Sequence, residues 1–186
     1  MLYIIGGAPR SGKSKISRRM LVEKQVSYFP MDVVTTVLEG FQKTVGVFEG
    51  QDFIEKSQKS WVAVKNLLDH LYETEENYLV EGDNILPSQI SNFLNMYNSK
   101  DIRICFVGYI ELDPREKLRT IRENSGGKDD WTKIVSDEEL LPMIQEMIEF
   151  SRYLKSECEK YGFKFFDVSH DFIKTQQEVF DYLNNY

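Results

Sequence analysis

The sequence predicts an α/β fold in three layers, with a five-stranded parallel sheet between two layers of helices, and two observations support it. Short apolar runs alternate with longer segments of helical periodicity, which is typical of βαβ units. A glycine-rich turn directly follows the first apolar run. The predicted strands, each rich in aromatic or β-branched residues, are Leu2–Ile5, Ser27–Met31, Tyr78–Glu81, Ile102–Tyr109 and Phe163–Val168.

Two long helices follow from apolar residues that recur at steps of three and four. The first stripe includes Ile54, Trp61 and Leu68, and it predicts a helix over about 52–72. The second stripe runs from Leu140 to Tyr161. A helix that began near residue 136 would lose a hydrogen bond at Pro142. We therefore expect the second helix to start near Pro142.

The chain is expected to form a single domain over residues 1–186. Hydrophobic residues make up 41% and charged residues 28% of the 186 residues, as is usual for a globular protein. Glycines interrupt the segment 39–51, which predicts a mobile loop. The segment 124–131 is glycine-centred and charged. It indicates a mobile lid over about 115–136.

Charge and cysteine content narrow the partners and the compartment. The formal net charge of −7 argues against a broad nucleic-acid surface, which needs clustered Lys and Arg. Cys105 and Cys158 stand in apolar surroundings and are expected to be reduced core thiols. The N-terminus lacks the pattern of a secretory signal, and no apolar run approaches the ~18 residues of a membrane span. We expect a cytoplasmic protein that binds neither nucleic acid nor membrane.

The glycine-rich turn matches the phosphate-binding pattern G-x-x-x-x-G-K-[ST] (Walker A) at every fixed position. Its residues are Gly7, Ala8, Pro9, Arg10, Ser11, Gly12, Lys13 and Ser14. Glycines let successive amide N–H groups point inward and form an anion nest that is closed by a helix N-terminus. Lys13 is expected to reach the terminal phosphates of ATP, and the Ser14 hydroxyl to bind Mg²⁺. The alternative is a structural glycine turn.

Acids follow two of the predicted strands, at the edge where ligands bind in such sheets. Asp32 is a candidate to accept the proton of an acceptor hydroxyl or to orient it, although it could also be a helix N-cap. Glu81 and Asp83 are candidates for the acceptor site, and Glu81 also for the magnesium site. The alternative for both is a solvated turn, because Gly82, Asp83 and Asn84 favour turns.

Three arginines share one predicted helix face after Asp113-Pro114, namely Arg115, Arg119 and Arg122. Guanidinium groups on a lid can stabilise a phosphoryl group during its transfer. We expect Arg115 to contact the nucleotide, and Arg119 and Arg122 to act in catalysis. A solvated face paired with neighbouring glutamates is the alternative. His70 and His170 enter neither hypothesis.

These features resemble the P-loop kinases of small molecules, the superfamily of the nucleoside monophosphate kinases, shikimate kinases and zeta toxins. The segment 79–87, with Glu81, Gly82 and Pro87, is similar to a motif of the 2-phosphoglycerate kinase-like branch. The resemblance implies the strand order 2-3-1-4-5. The turn of adenylate kinases after the third strand is absent. Shikimate kinases carry paired aspartates after the second strand, whereas this chain has Asp32 alone.

The sequence therefore predicts a kinase that moves the γ-phosphoryl group of Mg·ATP to a hydroxyl or phosphate of a small molecule, as a monomer or homodimer. The identity of the acceptor stays open. A regulatory module that binds nucleotide without phosphoryl transfer is the alternative, and binding without product would distinguish it. A polynucleotide kinase is disfavoured by the acidic charge balance.

Overall fold

A computed structural model describes residues 1–125 and 130–185 of the chain, without the side chain of Ser99. The strands are β1 (Leu2–Gly7), β2 (Ser27–Pro30), β3 (Tyr78–Gly82), β4 (Ile102–Gly108) and β5 (Lys164–Asp167). The helices are α1 (Lys13–Lys24), α2 (Asp32–Glu39), α3 (Gln42–Val45), α4 (Phe53–Thr74), α5 (Pro87–Leu94), α6 (Pro114–Glu123), α7 (Asp137–Tyr161) and α8 (Phe172–Asn184). All five predicted strands and the first predicted long helix are present.

The strands form one parallel sheet in the order β2-β3-β1-β4-β5, as the resemblance implied. Every residue of β1 is buried, because this strand lies at the centre and helices cover both faces of the sheet. Parallel pairing places the carboxyl ends of all strands at one edge. The turns that follow β1, β2 and β3 therefore meet there.

The two helical layers are built from helices distant in sequence. Helices α1 and α8 pack against each other and against the sheet. Helix α7 packs on β4 and β5 and contacts α5 and α6. Phe53 at the start of α4 stacks on Phe150 of α7, with ring centroids 4.9 Å apart. The apolar stripes predicted from the sequence are the faces that close this core.

The prediction that the second long helix begins near Pro142 is wrong, because α7 already starts at Asp137. Ser136 and Glu139 form a capping box in which each side chain meets the backbone N–H of the other. These bonds satisfy two N–H groups at the helix start and offset the one bond that Pro142 cannot make. A local cap thus outweighs the proline.

The two segments predicted to be mobile contain some regular structure. In the segment 39–51, α2 ends at Glu39 and the short α3 follows. In the segment 115–136, α6 and a 3₁₀ turn over Trp131–Ile134 are formed, while residues 126–129 lie outside the described residues. Across 1–125 and 130–185, no helix has both the length and the apolar run needed to cross a membrane.

Candidate nucleotide and acceptor site

The loop between β1 and α1 has the backbone of an anion-binding nest. Arg10 and Gly12 adopt left-handed conformations, with φ of 60° and 96°. Gly12 stands at the start of α1, and no side chain of the described residues caps this helix. The amide N–H of Lys15 donates to the Gly12 carbonyl at 3.0 Å. Those of Lys13 and Ser14 have no backbone acceptor among the described residues and can bind a negatively charged group. At φ of 96° glycine is the residue of least strain.

Side chains in the loop complete a set of donors that fits a phosphate chain. Lys13 is buried, and its Nζ donates to the carbonyl oxygens of Gly7 and Ala8 at 3.0 and 2.9 Å. The Ser11 hydroxyl is fully buried and has no hydrogen-bond partner among the described residues. A buried hydroxyl without a partner costs free energy until a ligand or water satisfies it. Ammonium, hydroxyl and amide groups together suit an anion.

The loop is also held firmly from its outer side. The amide N–H of Ala8 donates to the Val107 carbonyl at 3.0 Å, and the Tyr109 hydroxyl donates to the Pro9 carbonyl at 2.8 Å. These bonds come from β4 and the residue that follows it. They keep the loop next to the neighbouring strand end.

Ser14 and Glu81 meet across the site, as the magnesium hypothesis requires. The Ser14 hydroxyl donates to Oε1 of Glu81 at 2.8 Å. Burial raises the pKa of Glu81, whereas Lys13 and the Ser14 hydroxyl oppose this shift. The described residues contain no cluster of three or more acidic, histidine or cysteine side chains fit for a metal. The Ser14 hydroxyl, at the start of α1, is an oxygen ligand of the kind that Mg²⁺ takes.

Asp32 and Asp83, which follow β2 and β3, line the same cleft. Asp32 is exposed and is the first residue of α2, whereas Met31 is the N-cap and no side chain of the described residues caps the helix. The interpretation of Asp32 as an N-cap is therefore wrong. Burial and the Asp32 carboxylate raise the pKa of Asp83 to about 6, although Lys13 and Lys56 act in the opposite direction. Asp83 is half-buried in the bend after β3, so it is not a fully solvated turn residue.

A cleft of about 210 Å³ lies beside these acids. It is lined by Asp32, Thr35, Thr36, Glu39, Phe53, Lys56, Asp83, Asn84 and Trp131. Lys56 forms an ion pair with Glu39 at 2.9 Å. Gly82 makes this arrangement possible, since a β-carbon there would lie 2.6 Å from Cβ of Met31 and 2.7 Å from Oδ1 of Asn84. The cleft is small, polar and close to the phosphate loop.

The predicted lid arginines have different environments. Arg115 and Arg119 are exposed and line an open groove with Asp113 and Glu116. Arg119 is 70% exposed and lies 4.0 Å from Glu116, a distance that contributes little in water.

Arg122 is bonded within the protein instead. Its guanidinium donates to the carbonyl oxygens of Thr132 and Val135 and pairs with Asp137 at 2.7 Å. These contacts join α6 to the start of α7. The structure brings none of the three arginines into contact with the phosphate loop.

Lys117 is the residue that sequence reasoning missed. Only 5% exposed, it donates to the Arg10 carbonyl at 2.9 Å and lies 3.8 Å from the centre of the Tyr109 ring. Burial, with Arg10 and Lys13 nearby, lowers its pKa to about 7. Its position between two arginines on α6 was visible, but its burial depends on how the helix packs. Lys117, and none of the three predicted arginines of α6, therefore contacts the phosphate loop.

Arg10 ties the loop to the other end of the lid. Its guanidinium lies 3.2 Å from Oδ1 of Asp130 and within 3.4 Å of the Thr132 hydroxyl. The side chain of Asp130 is mostly buried. Burial raises the pKa of this carboxyl, but the bonds from Thr132 and Arg10 lower it by more, so that it lies below its usual value. Lys117 and Arg10 together connect the phosphate loop to both ends of the lid segment.

Comparison with known proteins identifies the fold. No protein family model matches the chain, and no curated protein matches its sequence. Among solved structures, a shikimate kinase from Bacteroides thetaiotaomicron has a TM-score of 0.56 at 16% identity, covering 98% of both chains. A gluconokinase from Sinorhizobium meliloti 1021 has a TM-score of 0.58 at 13% identity, covering 97% of this chain and 90% of that one.

A deoxyadenosine kinase from M. mycoides has a TM-score of 0.53 at 12% identity, and the match covers 100% of both chains. The three solved structures are named as three different kinases. All three have the same fold as this chain. The predicted three-layer fold, with its parallel sheet in the order 2-3-1-4-5, is thereby confirmed.

Proposed function

We propose that this chain, which has the fold of the P-loop small-molecule kinases, transfers the γ-phosphoryl group of Mg·ATP to a hydroxyl or phosphate of a small acceptor. The observation that carries the proposal is the meeting of three groups at one sheet edge. An anion nest with a buried lysine, the Ser14–Glu81 pair at 2.8 Å and the acidic cleft beside Asp32 adjoin each other there. Kinase-fold neighbours support the same class.

Residues 7–14 would hold the phosphates of ATP through backbone amides, the Ser11 hydroxyl and Lys13. Lys13 would exchange its bonds to two loop carbonyls for bonds to the terminal phosphates, which is favourable because phosphate carries full charge. Ser14 would be a ligand of Mg²⁺, and Glu81 would hold this hydroxyl or a water bound to the metal. The metal would neutralise charge on the phosphates during transfer.

Asp32 would accept the proton of an acceptor hydroxyl as its oxygen attacks the γ-phosphorus in line. The side chain is exposed and its carboxylate is not engaged in a helix cap. Asp83, next to it, would hold the acceptor. Arg115, Arg119 and Arg122 remain proposed lid residues. For Arg119 this requires movement of α6, because the groove that it lines is open.

The partner is proposed to be a small molecule, and the protein is proposed to be cytoplasmic and a monomer or homodimer. Cys105 and Cys158 are both free and buried, which agrees with a reducing compartment. The acidic net charge of −7 disfavours nucleic acid as acceptor.

Replacement of Lys13 tests the assignment. We expect Lys13→Ala to abolish phosphoryl transfer in a Mg·ATP turnover screen across sugars, nucleosides and small acids, with the melting temperature retained. Lys15→Ala is the matched control, because Lys15 is exposed and its Nζ lies over the Phe172 ring. Transfer that survives Lys13→Ala would refute the assignment. ATP binding without any product would favour a regulatory module.

Asp32→Ala tests the proposed base. We expect kcat to fall by about 10²–10⁴-fold while the affinity for ATP changes little, because the carboxylate acts on the acceptor and not on the nucleotide. Steady-state kinetics with either substrate varied would measure both quantities. An unchanged kcat would remove Asp32 from the mechanism.

A further inference from the structure

The charges that line the acceptor cleft are mostly negative. Asp32, Asp83 and Glu39 contribute carboxylates, and the one lysine of the lining is Lys56, which is already paired with Glu39. No arginine belongs to the described lining. An acceptor with a carboxylate or phosphate would have to enter beside these acids without a free cation to meet it. The electrostatic balance therefore disfavours anionic acceptors.

The positive groups near these acids lie on the phosphate side. Lys13 belongs to the phosphate loop, and Arg18 stands on α1, where it acts on Glu81 and is not part of the cleft lining. Lys13 is placed to serve the nucleotide charge. Neither residue alters the composition of the cleft itself.

Asn84 is a second, independent observation. Its side chain is 1% exposed, lines the cleft, and has neither its Nδ2 nor its Oδ1 bonded within the described residues. Leaving a buried amide unsatisfied costs free energy for each unpaired group. A carboxamide offers one donor edge and one acceptor atom, and so it fits a ligand that presents both. An uncharged polar molecule has such an edge.

The remaining walls of the cleft suit an uncharged ring. Phe53 is half-buried and held by its stacking on Phe150, and Trp131 is 39% exposed on the opposite lid segment. Aromatic faces with a few polar groups are typical of sites for neutral small molecules. Thr35 and Thr36 add hydroxyl groups to this lining.

Within the proposed kinase function, we infer that the acceptor is an uncharged, hydroxylated small molecule whose hydrogen-bonding edge meets Asn84. Its hydroxyl lies toward Asp32, and it carries no carboxylate or phosphate. In the transfer, the acceptor oxygen forms a bond to the γ-phosphorus while the bond from this phosphorus to the β–γ bridging oxygen breaks. ADP leaves with that electron pair, and Asp32 takes the hydroxyl proton.

Matched pairs of acceptors that differ only in an anionic group test the inference. Suitable pairs are glucuronamide and glucuronate, the methyl ester of shikimate and shikimate, and a deoxynucleoside and its 3′-monophosphate, which keeps the 5′-hydroxyl free. ADP formation and the phosphorylated product are measured for each, with Lys13→Ala as blank. We expect the uncharged member of at least one pair to react with a kcat/KM at least tenfold above that of its anionic partner.

The pairs also separate this inference from the proposed function. Transfer only to anionic members would overturn the inference and leave the kinase assignment intact. Transfer to no uncharged member overturns the inference in every case. In that case the kinase assignment still stands if an anionic member is phosphorylated, or if the protein forms ADP and Lys13→Ala does not.

Two variants test the residues that carry the argument. Asn84→Leu, which keeps the branching at Cγ but has no hydrogen-bonding atoms, should raise the acceptor KM at least tenfold and leave the KM for ATP unchanged. Its melting temperature should be retained or raised, because a buried unsatisfied amide is removed. The control is Asn92→Leu, at an exposed position of α5. A retained acceptor KM would exclude Asn84 from binding.

Glu39→Gln keeps the test valid if Asn84→Leu does not fold. The change frees Lys56 from its ion pair and removes one negative charge from the cleft. The ratio of kcat/KM for the anionic member to that for the uncharged member should rise by about tenfold. An unchanged ratio would show that the cleft charges do not select the acceptor.

Discussion

Lys117→Met should stabilise the protein more at pH 6 than at pH 9. Burial lowers the pKa of Lys117 from 10.5 in the unfolded chain to about 7. Methionine keeps the apolar stem that packs on Tyr109 but carries no charge. Below pH 7 the folded wild-type protein holds a buried ammonium group, which lowers its free energy of unfolding, and the variant does not.

The sign of the pH dependence follows from proton binding. Between pH 7 and 10.5 the unfolded chain keeps a proton on Lys117 that the folded protein has released, so wild-type stability rises with pH in this window. Below pH 7 both states hold the proton and the penalty is complete. With 1.36 kcal/mol for each pH unit, the wild type gains about 2.7 kcal/mol relative to Lys117→Met between pH 6 and 9.

Urea denaturation of both proteins at pH 6 and 9 measures this change. The bond to the Arg10 carbonyl needs no separate correction, because its dependence on the protonation of Lys117 is already contained in the pKa difference between the folded and unfolded states. Lys174→Met is the control, because Lys174 is exposed and its side chain is solvated. Parallel pH profiles of wild type and Lys117→Met would refute the argument that Lys117 is buried on the phosphate loop.

Two further substitutions test the packing of the site and the start of α7. Gly82→Ala should lower the free energy of unfolding by about 1–3 kcal/mol, because its β-carbon would lie 2.6 Å from Met31. The control is Gly40→Ala, which should cost less because no atom comes nearer than 3.2 Å to its β-carbon. Equal losses of stability in urea denaturation would contradict the steric argument. Ser136→Ala should cost about 1 kcal/mol by removing the cap of α7, whereas Ser156→Ala on the exposed face of the same helix should not destabilise it. A Ser136→Ala protein as stable as the wild type would show that the capping box does not support this helix start.

The features that could be predicted from sequence depend on short stretches of chain. The phosphate loop follows from eight consecutive residues, because glycine conformation and the following helix act locally. The strands follow from apolar runs, and the edge at which Asp32, Glu81 and Asp83 meet follows from the parallel sheet. The start of α7 is also encoded locally, in Ser136 and Glu139, although Pro142 predicted a later start.

Other features arise only when distant segments pack. Ser14 and Glu81 are 67 residues apart and meet because β1 and β3 are neighbours in the sheet. Lys117 is buried on the Arg10 carbonyl because α6 packs over the loop. Asn84 is buried at the wall of the cleft, where its amide finds no hydrogen-bond partner among the described residues. Residue type and spacing are properties of the chain itself. Burial, and with it the pKa values and the unsatisfied groups of the site, exists only once the tertiary structure excludes water.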